Sequence, residues 1–428
     1  MKSKCKIVVA HPFQQHSFKT ATAIKEMGLL YKYVTTVYLK ENNNTGKILS
    51  FLSDDNKIRA MGRRCDKLAD GEVVQFGEIL SLILLMVQRI NSKSIIYTFF
   101  YWLVIRYFNI KLYRYITKEK IDIVIVYDVL SAYLIKLLKK NNIHCKVIVD
   151  MSAPYYNYMI ERYQEDATLN PSMSDDLKKM LKGGISKGRC RSGKYEIENA
   201  DAFLVASKVT KQSLIWGGVS EKNIYICHYG IDDFLEEESV IDNTEFIEMS
   251  DKPLKIIYVG SISEQKGAYQ LMRIGRKLSN RDFQFDFYGS YDSKSSVFKE
   301  YQNDYNFHGH IPRSKMRAVY KKADLLVFPT LCDGFGFVTI EALLCGVPVI
   351  VSKNAGSAEL IKDHINGFVY DPLSDDELIT LLLHISHNRD ILRKMQCNVK
   401  DSVIKQTWSK YNREIENAIR KIINEGKI

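Results

Sequence analysis

The chain has 428 residues, of which 46% are hydrophobic and 26% are charged, a composition typical of a soluble globular protein of about two domains. Its longest uncharged apolar runs, residues 79–87 and 95–105, are too short for a membrane-spanning helix, which needs ~20 residues. The formal net charge of +11 lies mostly in residues 1–240. This positive charge favours an anionic partner such as a membrane surface or a phosphate-bearing lipid. Nucleic acid is disfavoured, because the sequence has no nucleic-acid-binding signature.

The first residues of the chain and its cysteines indicate the cellular compartment of the protein. Basic residues lead directly into the apolar run Ile7–Ala10, so we expect no signal peptide. The eight cysteines are scattered and form no C-x-x-C pair, which is typical of reduced thiols and argues against a disulfide framework or a zinc site. We therefore expect a cytoplasmic protein, and peripheral attachment to the inner face of a membrane is a further hypothesis.

Short apolar runs alternate with helical patterns along the chain, which predicts parallel sheets with crossover helices. In the first half, the predicted strands are Lys6–Ala10, Val34–Leu39, Asp122–Tyr127, Lys146–Asp150, Ala202–Ala206 and Ile224–His228. In the second half, they are Lys255–Gly260, Gln284–Tyr288, Tyr305–Gly309, Leu325–Pro329, Val347–Ser352 and Phe368–Tyr370. The predicted fold class is therefore α/β, with two Rossmann-like, doubly wound domains that face a central cleft.

The domain boundaries follow from this pattern. We predict an N-terminal domain over residues 1–235 and a C-terminal domain over residues 236–405. The acidic, apolar-poor run Ile231–Lys252 is the predicted linker between the two sheets. The last segment, residues 406–428, carries a helical pattern from Lys410 to about Asn424 and is expected to pack back on the N-terminal domain.

Two basic segments of the first half each have two interpretations. In residues 71–120, aromatic and basic residues interleave, as in helices that lie in a membrane interface or as in helices that cover one face of a sheet. Residues 178–194 contain seven basic residues and four glycines. This segment is predicted to be either a mobile phosphate-binding loop or a solvated flexible loop.

Asp333 and Glu341 are the most informative residues of the chain. They stand on either side of a turn that contains Gly334 and Gly336, after the predicted strand Leu325–Pro329 and close to a predicted helix start. Free backbone N–H groups at a helix N-terminus bind anions such as phosphate. The carboxylates are instead suited to accept hydrogen bonds from hydroxyl groups. A ligand that carries both phosphates and many hydroxyls is a nucleotide sugar.

Several motifs in order give the chain a family resemblance. The second half resembles the retaining glycosyltransferases of family 4, whose two Rossmann-like domains form the GT-B fold. The motifs that carry the resemblance are Asp333–Ala342, which is similar to the family's E-x7-E signature, together with Tyr258–Gly267, Phe307–Pro312, Cys345–Ile350, Asn366–Val369, His228–Asp232 and Glu198–Ser207.

The resemblance implies roles for individual residues. Glu341 would accept hydrogen bonds from the donor ribose, Asp333 would hold hydroxyls of the transferred sugar, and Lys266 would neutralise the diphosphate. Backbone groups around 335–338 would bind sugar and phosphate oxygens, and Ile311 would border the base. The implied donor-binding set is Gly260, Ser261, Lys266, Ile311, Asp333, Gly334, Phe335, Gly336, Phe337, Val338 and Glu341. No essential metal is expected, because the chain has no D-x-D motif between apolar residues and the resemblance implies that Lys266 does the charge work. No cofactor is expected, because the nucleotide sugar is itself a substrate.

The first half offers candidates for binding the acceptor. His11 and His16 flank the loop after the first strand and are either acceptor or phosphate contacts or parts of a local turn. Asp128 and Asp150 end two predicted strands, where each could orient an acceptor hydroxyl, transfer a proton or cap the next helix. We take all four as candidate acceptor-binding residues. Asp128 joins Asp333, Lys266 and Glu341 in the candidate catalytic set.

The chain departs from the family pattern at several positions. Ser261 stands where the family has an arginine, so a phosphate cation is missing unless Arg273 or Arg191 replaces it. Asp333 is one methylene shorter than the usual glutamate. In the first half, residues 11–16 replace the usual Gly-Gly loop, and Tyr127-Asp128 replaces a histidine. These departures put the choice of sugar and the acceptor site in question.

The resulting prediction is a retaining hexosyltransferase that uses a UDP- or GDP-sugar and a hydroxyl of a glycan or lipid-linked glycan, in cell-surface polysaccharide synthesis. Two alternatives stay open. One is a nucleotide-sugar epimerase or hydrolase of the same fold, and the other is a non-catalytic nucleotide-sugar-binding protein. An NAD(P) dehydrogenase is disfavoured, because no G-x-G-x-x-G turn follows the first strand.

Overall fold

The computed structural model of the protein describes residues 5–40, 45, 61–92, 94–231 and 252–425. The first of its two sheets is parallel and has the strand order β3-β2-β1-β4-β5-β6-β7. Its central strands are buried along their whole length, as expected when helices cover both faces. The strands are β1 Ile7–Ala10, β2 Leu30–Thr35, β3 Val73–Gln75, β4 Ile123–Tyr127, β5 Lys146–Met151, β6 Ala202–Val205 and β7 Ile224–Ile226.

The second sheet is also parallel and has the order β10-β9-β8-β11-β12-β13. Its strands are β8 Leu254–Val259, β9 Phe283–Tyr288, β10 Asn306–Gly309, β11 Leu325–Phe328, β12 Val349–Ser352 and β13 Gly367–Tyr370. In both sheets the strand order reverses beside the first strand, at β1 and at β8. The predicted α/β class with two doubly wound, Rossmann-like sheets is therefore confirmed.

Helices connect the strands. In the first half they are α1 Ser17–Glu26, α2 Glu78–Asn91, α3 Ile95–Glu119, α4 Ala132–Lys140, α5 Tyr156–Leu169, α6 Asp175–Lys182, α7 Gly184–Asn199 and α8 Lys208–Trp216. In the second half they are α9 Ala268–Lys277, α10 Ser296–Tyr301, α11 Arg313–Tyr320, α12 Phe337–Leu344, α13 Asp375–His387, α14 Asp390–Val403 and α15 Trp408–Glu425. Within the described residues, no helix is both long enough and apolar enough to cross a bilayer.

Two predictions about the first half are wrong in detail. The strand predicted at Val34–Leu39 is β2, which lies at Leu30–Thr35 because its pairing with β1 begins at Leu30. The sequence analysis missed β3, a three-residue edge strand that is too short to show a periodic pattern. The other predicted strands agree with the structure to within two residues at each end.

The basic segment 178–194 is helical, so both loop interpretations are wrong. It forms the end of α6 and most of α7. Its glycines are packing positions, because a Cβ atom at Gly188 would lie 2.1 Å from the ring of Trp102, and one at Gly193 would lie 3.3 Å from the ring of Tyr155. Close helix packing therefore explains the glycines of residues 178–194, which resemble those of a flexible loop. A single sequence does not reveal this packing.

The α2–α3 hairpin, residues 78–119, agrees in part with the interpretation that the helices of the 71–120 region cover one face of the sheet. The second half of α3 covers the first sheet with buried side chains such as Phe108, Leu112 and Ile116. The end of the hairpin is different, because Ile90 and Ile95 are 85% and 88% exposed. The hairpin thus both covers the sheet and presents an apolar tip.

The C-terminal helix α15 packs on α1 of the first sheet. Asn412 donates a hydrogen bond of 2.7 Å to Glu26, and the hydroxyls of Tyr411 and Thr20 lie 2.8 Å apart. Lys146 of β5 also donates to the carbonyl of Ile422. The end of the chain therefore returns to the first sheet. Residues 232–251 of the predicted linker lie outside the described residues.

His228, which follows β7, joins three parts of the chain. Its backbone N–H donates to Glu414 of α15 at 2.7 Å, and its ring Nδ1 lies 3.1 Å from the same carboxylate. Its Nε2 lies 3.2 Å from Oε1 of Glu359, in the short helix Gly356–Leu360 that follows β12. One imidazole therefore contacts a carboxylate from the second sheet and another from the final helix.

This arrangement predicts a stability contribution that depends on pH. Burial alone would lower the pKa of the His228 imidazole, but Glu359 and Glu414 outweigh it and raise the pKa to about 9. Because the folded-state pKa exceeds the unfolded value of ~6.5, the contribution is complete below that pH and is lost as the pH rises through 9. We expect His228→Gln to lose about 1.5–3 kcal/mol of unfolding free energy near pH 6.

The measurement is urea unfolding of wild type and His228→Gln at about pH 6 and about pH 9.5. The difference between the two proteins should shrink at the higher pH. An equal difference at both pH values would show that His228 stabilises the fold as a neutral ring.

Candidate active site

The loop between β11 and α12 is shaped by glycine. Gly336 caps α12 with a φ of +81°, a backbone conformation that a side chain would strain. A Cβ atom there would also lie 2.8 Å from the Phe328 ring and from Oγ of Ser357. The turn therefore starts α12 at Phe337 and directs the free N–H groups of its first turn toward the carboxyl end of the sheet. Residues 333–338, which are predicted to bind the donor, lie on this turn, and we call them the donor loop after that prediction.

Lys266 and Asp333 form an ion pair, although 66 residues separate them in the sequence. Lys266 ends a short helix after β8, and the next residue, Gly267, has a φ of +73°. A Cβ atom on Gly267 would lie 1.8 Å from the carbonyl oxygen of Pro329, so only glycine lets this turn approach the end of β11. The other carboxylate oxygen of Asp333 accepts a 3.0 Å hydrogen bond from Phe335 N–H.

Glu341 lies on α12 with 13% of its side chain exposed. One of its oxygens accepts a 2.9 Å hydrogen bond from the Tyr320 hydroxyl, and the other lies 3.9 Å from Nε of Arg313. Burial raises the pKa of the Glu341 carboxyl, and the Tyr320 hydrogen bond opposes this. Arg313 and Tyr320 begin and end α11, so this helix packs its two ends toward Glu341. Ile311, the predicted base contact, lies two residues before α11.

Gly260 and Ser261 follow β8 at the same edge of the sheet. Gly260 has a φ of +148°, and the Tyr258 hydroxyl donates to the carbonyl of Ser261 at 2.7 Å. The structure does not bring the expected replacement arginines here. Arg273 is held by Asp375 through hydrogen bonds of 2.8 and 2.7 Å, and Arg191 lines a separate surface pocket. Lys266 is thus the basic side chain that contacts Asp333.

The donor loop touches the first sheet. A Cβ atom on Gly334 would lie 2.7 Å from the carbonyl oxygen of Ser152 and 2.9 Å from Cα of Ala153, both of which follow β5. Ser207, which follows β6, donates a 2.7 Å hydrogen bond to the Gly334 carbonyl. The carboxyl ends of the two sheets therefore meet at Gly334.

Tyr229 reinforces this junction from the segment after β7. Its ring stacks on Phe337 with centroids 5.8 Å apart and an angle of 6° between the planes. It also meets the edge of Phe335 at 5.2 Å. The first turn of α12 is therefore packed against a residue of the first half of the chain.

A cavity of about 420 Å³ lies on the first-sheet side of this junction. His11 and Asp128 line it, as do Ser152 and Ala153. Asp128 accepts hydrogen bonds from Ser152, at 3.0 Å from its N–H and 2.8 Å from its hydroxyl. Burial raises the pKa of the Asp128 carboxyl, and the Ser152 hydrogen bonds oppose this. Asp128 is therefore oriented by Ser152 at the wall that touches Gly334.

His11 is a neutral member of the cavity wall. Burial lowers the pKa of its imidazole to about 3. Phe13 N–H donates to Nδ1 at 2.8 Å, so Nε2 carries the proton and donates to Gln15 at 3.1 Å. His11 therefore adds no charge to the cavity at neutral pH.

The structure places His16 and Asp150 outside the cavity that His11 and Asp128 line. Asp150 is 2% exposed, and its carboxylate lies 2.9 Å from Nε2 of His16 and accepts a 3.0 Å hydrogen bond from Thr20. The hydroxyl of Tyr229 lies 3.2 Å from the same His16 nitrogen. Neither His16 nor Asp150 lines the cavity that contains His11 and Asp128. The two residues instead connect α1, β5 and the segment after β7.

Sequence reasoning missed several residues of the cavity. Arg63, Tyr101, Tyr156 and Arg189 line it but were not among the candidates. Arg189 belongs to the basic segment 178–194, which had been interpreted as a loop. The basic composition of residues 178–194 therefore indicated a candidate anion site, but the sequence did not show that Arg189 lies on a helix at the cavity wall.

The contact at Gly334 yields a prediction. Gly334→Ala should force its new methyl group against Ser152 and Ala153 and cost about 1–3 kcal/mol of stability. Thermal unfolding measures this loss. Gly71→Ala is the control, because a Cβ atom there meets nothing within 4 Å. Equal stability of the Gly334 variant and wild type would contradict the close contact.

Comparison with known proteins identifies a family match in the second half of the chain and several curated relatives. Residues 241–402 match the family model described as glycosyl transferases group 1. An uncharacterized glycosyltransferase of Methanocaldococcus jannaschii, MJ1607, is 25% identical over 235 residues, which cover 52% of this chain and 60% of that protein. The capsular polysaccharide biosynthesis glycosyltransferase CapM of Staphylococcus aureus is 26% identical over 187 residues, which cover 40% of this chain and 48% of CapM. The chain thus spans about half the length of these curated relatives.

Solved structures resemble the whole chain. Sucrose-phosphate synthase from Thermosynechococcus elongatus has a TM-score of 0.63 at 13% identity and covers 98% of this chain and 100% of its own. Anabaena HepE in complex with UDP has a TM-score of 0.56 at 12% identity and covers 97% of this chain and 100% of its own. At such identities the likeness concerns the fold alone. The chain therefore has the GT-B fold, and its residues 241–402 carry the pattern of the glycosyl transferases of group 1.

Proposed function

We propose that the protein is a retaining glycosyltransferase that moves a hexose from a UDP- or GDP-sugar to a hydroxyl of a glycan or lipid-linked glycan. The observation that supports this most directly is the Lys266–Asp333 ion pair at the turn into α12, the helix that carries Glu341. One edge of a parallel sheet thus holds a cation suited to a diphosphate and two carboxylates suited to hydroxyls. The group 1 match covers all three residues, and HepE, which has the same fold, forms a complex with UDP.

In the proposed reaction, the bond from the anomeric carbon to the diphosphate breaks, and a bond to the acceptor oxygen forms on the same face of the sugar. Lys266 stabilises the negative charge that grows on the departing diphosphate. Asp333 accepts hydrogen bonds from the sugar hydroxyls, and Glu341 accepts them from the ribose. The acceptor proton leaves with the nucleoside diphosphate, while Asp128 orients the acceptor hydroxyl from the cavity beside Gly334.

The remaining donor contacts are backbone groups. N–H groups of Phe337 and Val338 at the start of α12 would bind sugar and phosphate oxygens, while the N–H of Phe335 holds Asp333 in place. Gly260 and Ser261 would border the phosphates. The proposal includes no essential metal and no cofactor, because Lys266 and the N-terminus of α12 supply positive charge where the leaving group develops negative charge.

The acceptor class is proposed from the relatives and from the charge of the chain. CapM is described as a capsular polysaccharide biosynthesis enzyme, which supports a role in cell-surface polysaccharide synthesis. The positive charge of the first half supports an acceptor that carries negative charge. The proposed acceptor is therefore a growing glycan or a lipid-linked glycan.

The donor site is tested by thermal unfolding with UDP, GDP, ADP and their common sugar conjugates. A ligand at ~100 times its Kd should raise stability by about 2.7 kcal/mol. We expect a rise with UDP or GDP compounds that Glu341→Ala abolishes. The double variant Asp333→Ala, Glu341→Ala should remain folded and lose roughly 100-fold or more of the transfer rate.

Lys353→Ala is the matched control, because Lys353 also pairs with an aspartate of the second half, Asp371, at an exposed position. It should keep both nucleotide binding and transfer. Near-normal transfer by the double variant would contradict the proposed site. Free sugar formed without an acceptor would instead favour a hydrolase, and nucleotide binding without turnover would favour a binding protein.

The same proposal includes peripheral contact with an anionic membrane surface through the α2–α3 hairpin. Ile79, Met86, Ile90, Ile95 and Phe99 expose more than half of their surface on these two helices. Apolar side chains next to basic residues are the combination that binds a membrane interface. Such contact would bring the enzyme to a lipid-linked acceptor.

Liposome co-sedimentation at low salt tests this contact. The full-length protein should sediment with phosphatidylglycerol vesicles, and the double variant Ile90→Glu, Ile95→Glu should bind at least about tenfold more weakly, since charge is excluded from the apolar interface. Ile404→Glu is the control, because Ile404 is an exposed isoleucine outside the hairpin. Wild-type protein that stays in the supernatant would contradict membrane contact.

A further inference from the structure

The cavity beside the donor loop contains an excess of positive charge. Arg63 and Arg189 both line it, together with the carboxylate of Asp128 and the neutral ring of His11. Its volume of about 420 Å³ is within the range of small-molecule sites. Because guanidinium groups pair readily with phosphate and carboxylate, this composition indicates an anionic ligand.

Arg189 is held in place without an ion-pair partner among the residues that the structure describes. Its Nε is buried and forms no hydrogen bond, and its Nη2 donates a long 3.4 Å hydrogen bond to the Tyr101 hydroxyl. Its guanidinium carbon lies 5.9 Å from the centres of the Tyr101 and Tyr156 rings. These contacts orient the group. Asp128 is near enough to act on its charge but forms no ion pair with it among the described residues. An anion in the cavity would satisfy the remaining N–H groups.

Arg63 supplies the second positive charge in the cavity wall. Burial lowers the pKa of its guanidinium, and Arg89 of α2 acts in the same direction by repulsion. Among the residues that the structure describes, neither Arg63 nor Arg189 forms an ion pair with an acidic side chain. Two guanidinium groups and one carboxylate line the cavity, so an anionic ligand would neutralise the excess positive charge.

The cavity is also continuous with the apolar hairpin. Leu84 and Leu85 of α2 and Tyr97 and Tyr101 of α3 form part of its wall. On the same two helices, exposed apolar side chains continue away from the cavity; they are Met86, Ile90, Ile95, Ile96 and Phe99. A ligand that fills the cavity with an anionic group can therefore extend an apolar chain along the hairpin.

We propose that the acceptor is a phosphate-bearing glycolipid whose phosphate binds Arg63 and Arg189, whose sugar hydroxyl reaches Asp128 and whose apolar chain lies along the α2–α3 hairpin. This rests on the proposed function, because it names the acceptor of the same transfer. The cavity and the donor loop share a wall, since Ser152 and Ala153 line the cavity and lie against Gly334. A hydroxyl held by Asp128 is therefore close to the donor sugar held by Asp333.

The test is calorimetric titration of the full-length protein with decyl phosphate below its micelle concentration. Inorganic phosphate and decyl glucoside are the comparison ligands. We expect decyl phosphate to bind at least about tenfold more tightly than either, because only it offers both the charge and the chain. Arg189→Gln and Arg63→Gln should each weaken decyl phosphate about tenfold, and Arg189→Lys should weaken it less. Lys187→Gln is the control, since it removes an exposed positive charge from the same helix.

Three outcomes would overturn the proposal. The first is that decyl glucoside and decyl phosphate bind equally tightly, and the second is that both arginine variants bind decyl phosphate as tightly as wild type. The third is that the protein binds phosphatidylglycerol vesicles as strongly as it binds decyl phosphate and that Arg189→Gln leaves this vesicle binding unchanged. Nucleotide-induced stabilisation of Arg189→Gln separates this proposal from the donor site. Loss of decyl phosphate binding with retained nucleotide binding supports an acceptor role. Absence of nucleotide binding in wild type would instead remove the transferase assignment and leave an anionic-lipid site.

Discussion

The close approach of Gly334 to the backbone of Ser152 and Ala153 is the contact on which both candidate sites depend. It leaves no room for a side chain, and the hydrogen bond from Ser207 keeps the loop in place. Parallel sheets present their ligand-binding edges at the carboxyl ends of their strands, and this contact joins the two edges. The candidate donor site on one sheet and the cavity on the other therefore share one wall, as the proposed transfer between two bound substrates requires.

The two sites differ in how their charges are neutralised. At the candidate donor site, Lys266 and Asp333 neutralise each other, so no ligand is needed to balance their charges. On the other side, Arg63 and Arg189 outnumber Asp128. Buried charge without an ion-pair partner lowers stability, and perturbed charged groups cluster at functional sites. The two candidate sites therefore differ electrostatically, because one is internally neutralised and the other carries an excess of positive charge.

Most of the architecture could be predicted from one sequence because buried parallel strands are continuous apolar runs, as in Ile123–Tyr127 and Leu325–Phe328. Boundaries were less predictable where pairing with a neighbour decides them, as in β2, whose start is set by β1. The three-residue strand β3 gave too short a pattern to recognise. The glycines of residues 178–194 suggested a loop, because the sequence does not show that Trp102 packs on Gly188.

The sequence by itself determined the α/β plan, the positive first half and the order of Lys266, Asp333 and Glu341, because these depend on local pattern and on residue type. Only the tertiary structure decided which side chains meet. It paired Lys266 with Asp333, gave Asp150 and His16 to a buried network, and placed Arg189 of α7 in the cavity of Asp128. Such contacts join residues that are far apart in the chain, and helix packing and sheet register set their distances. No local pattern in a single sequence encodes those distances.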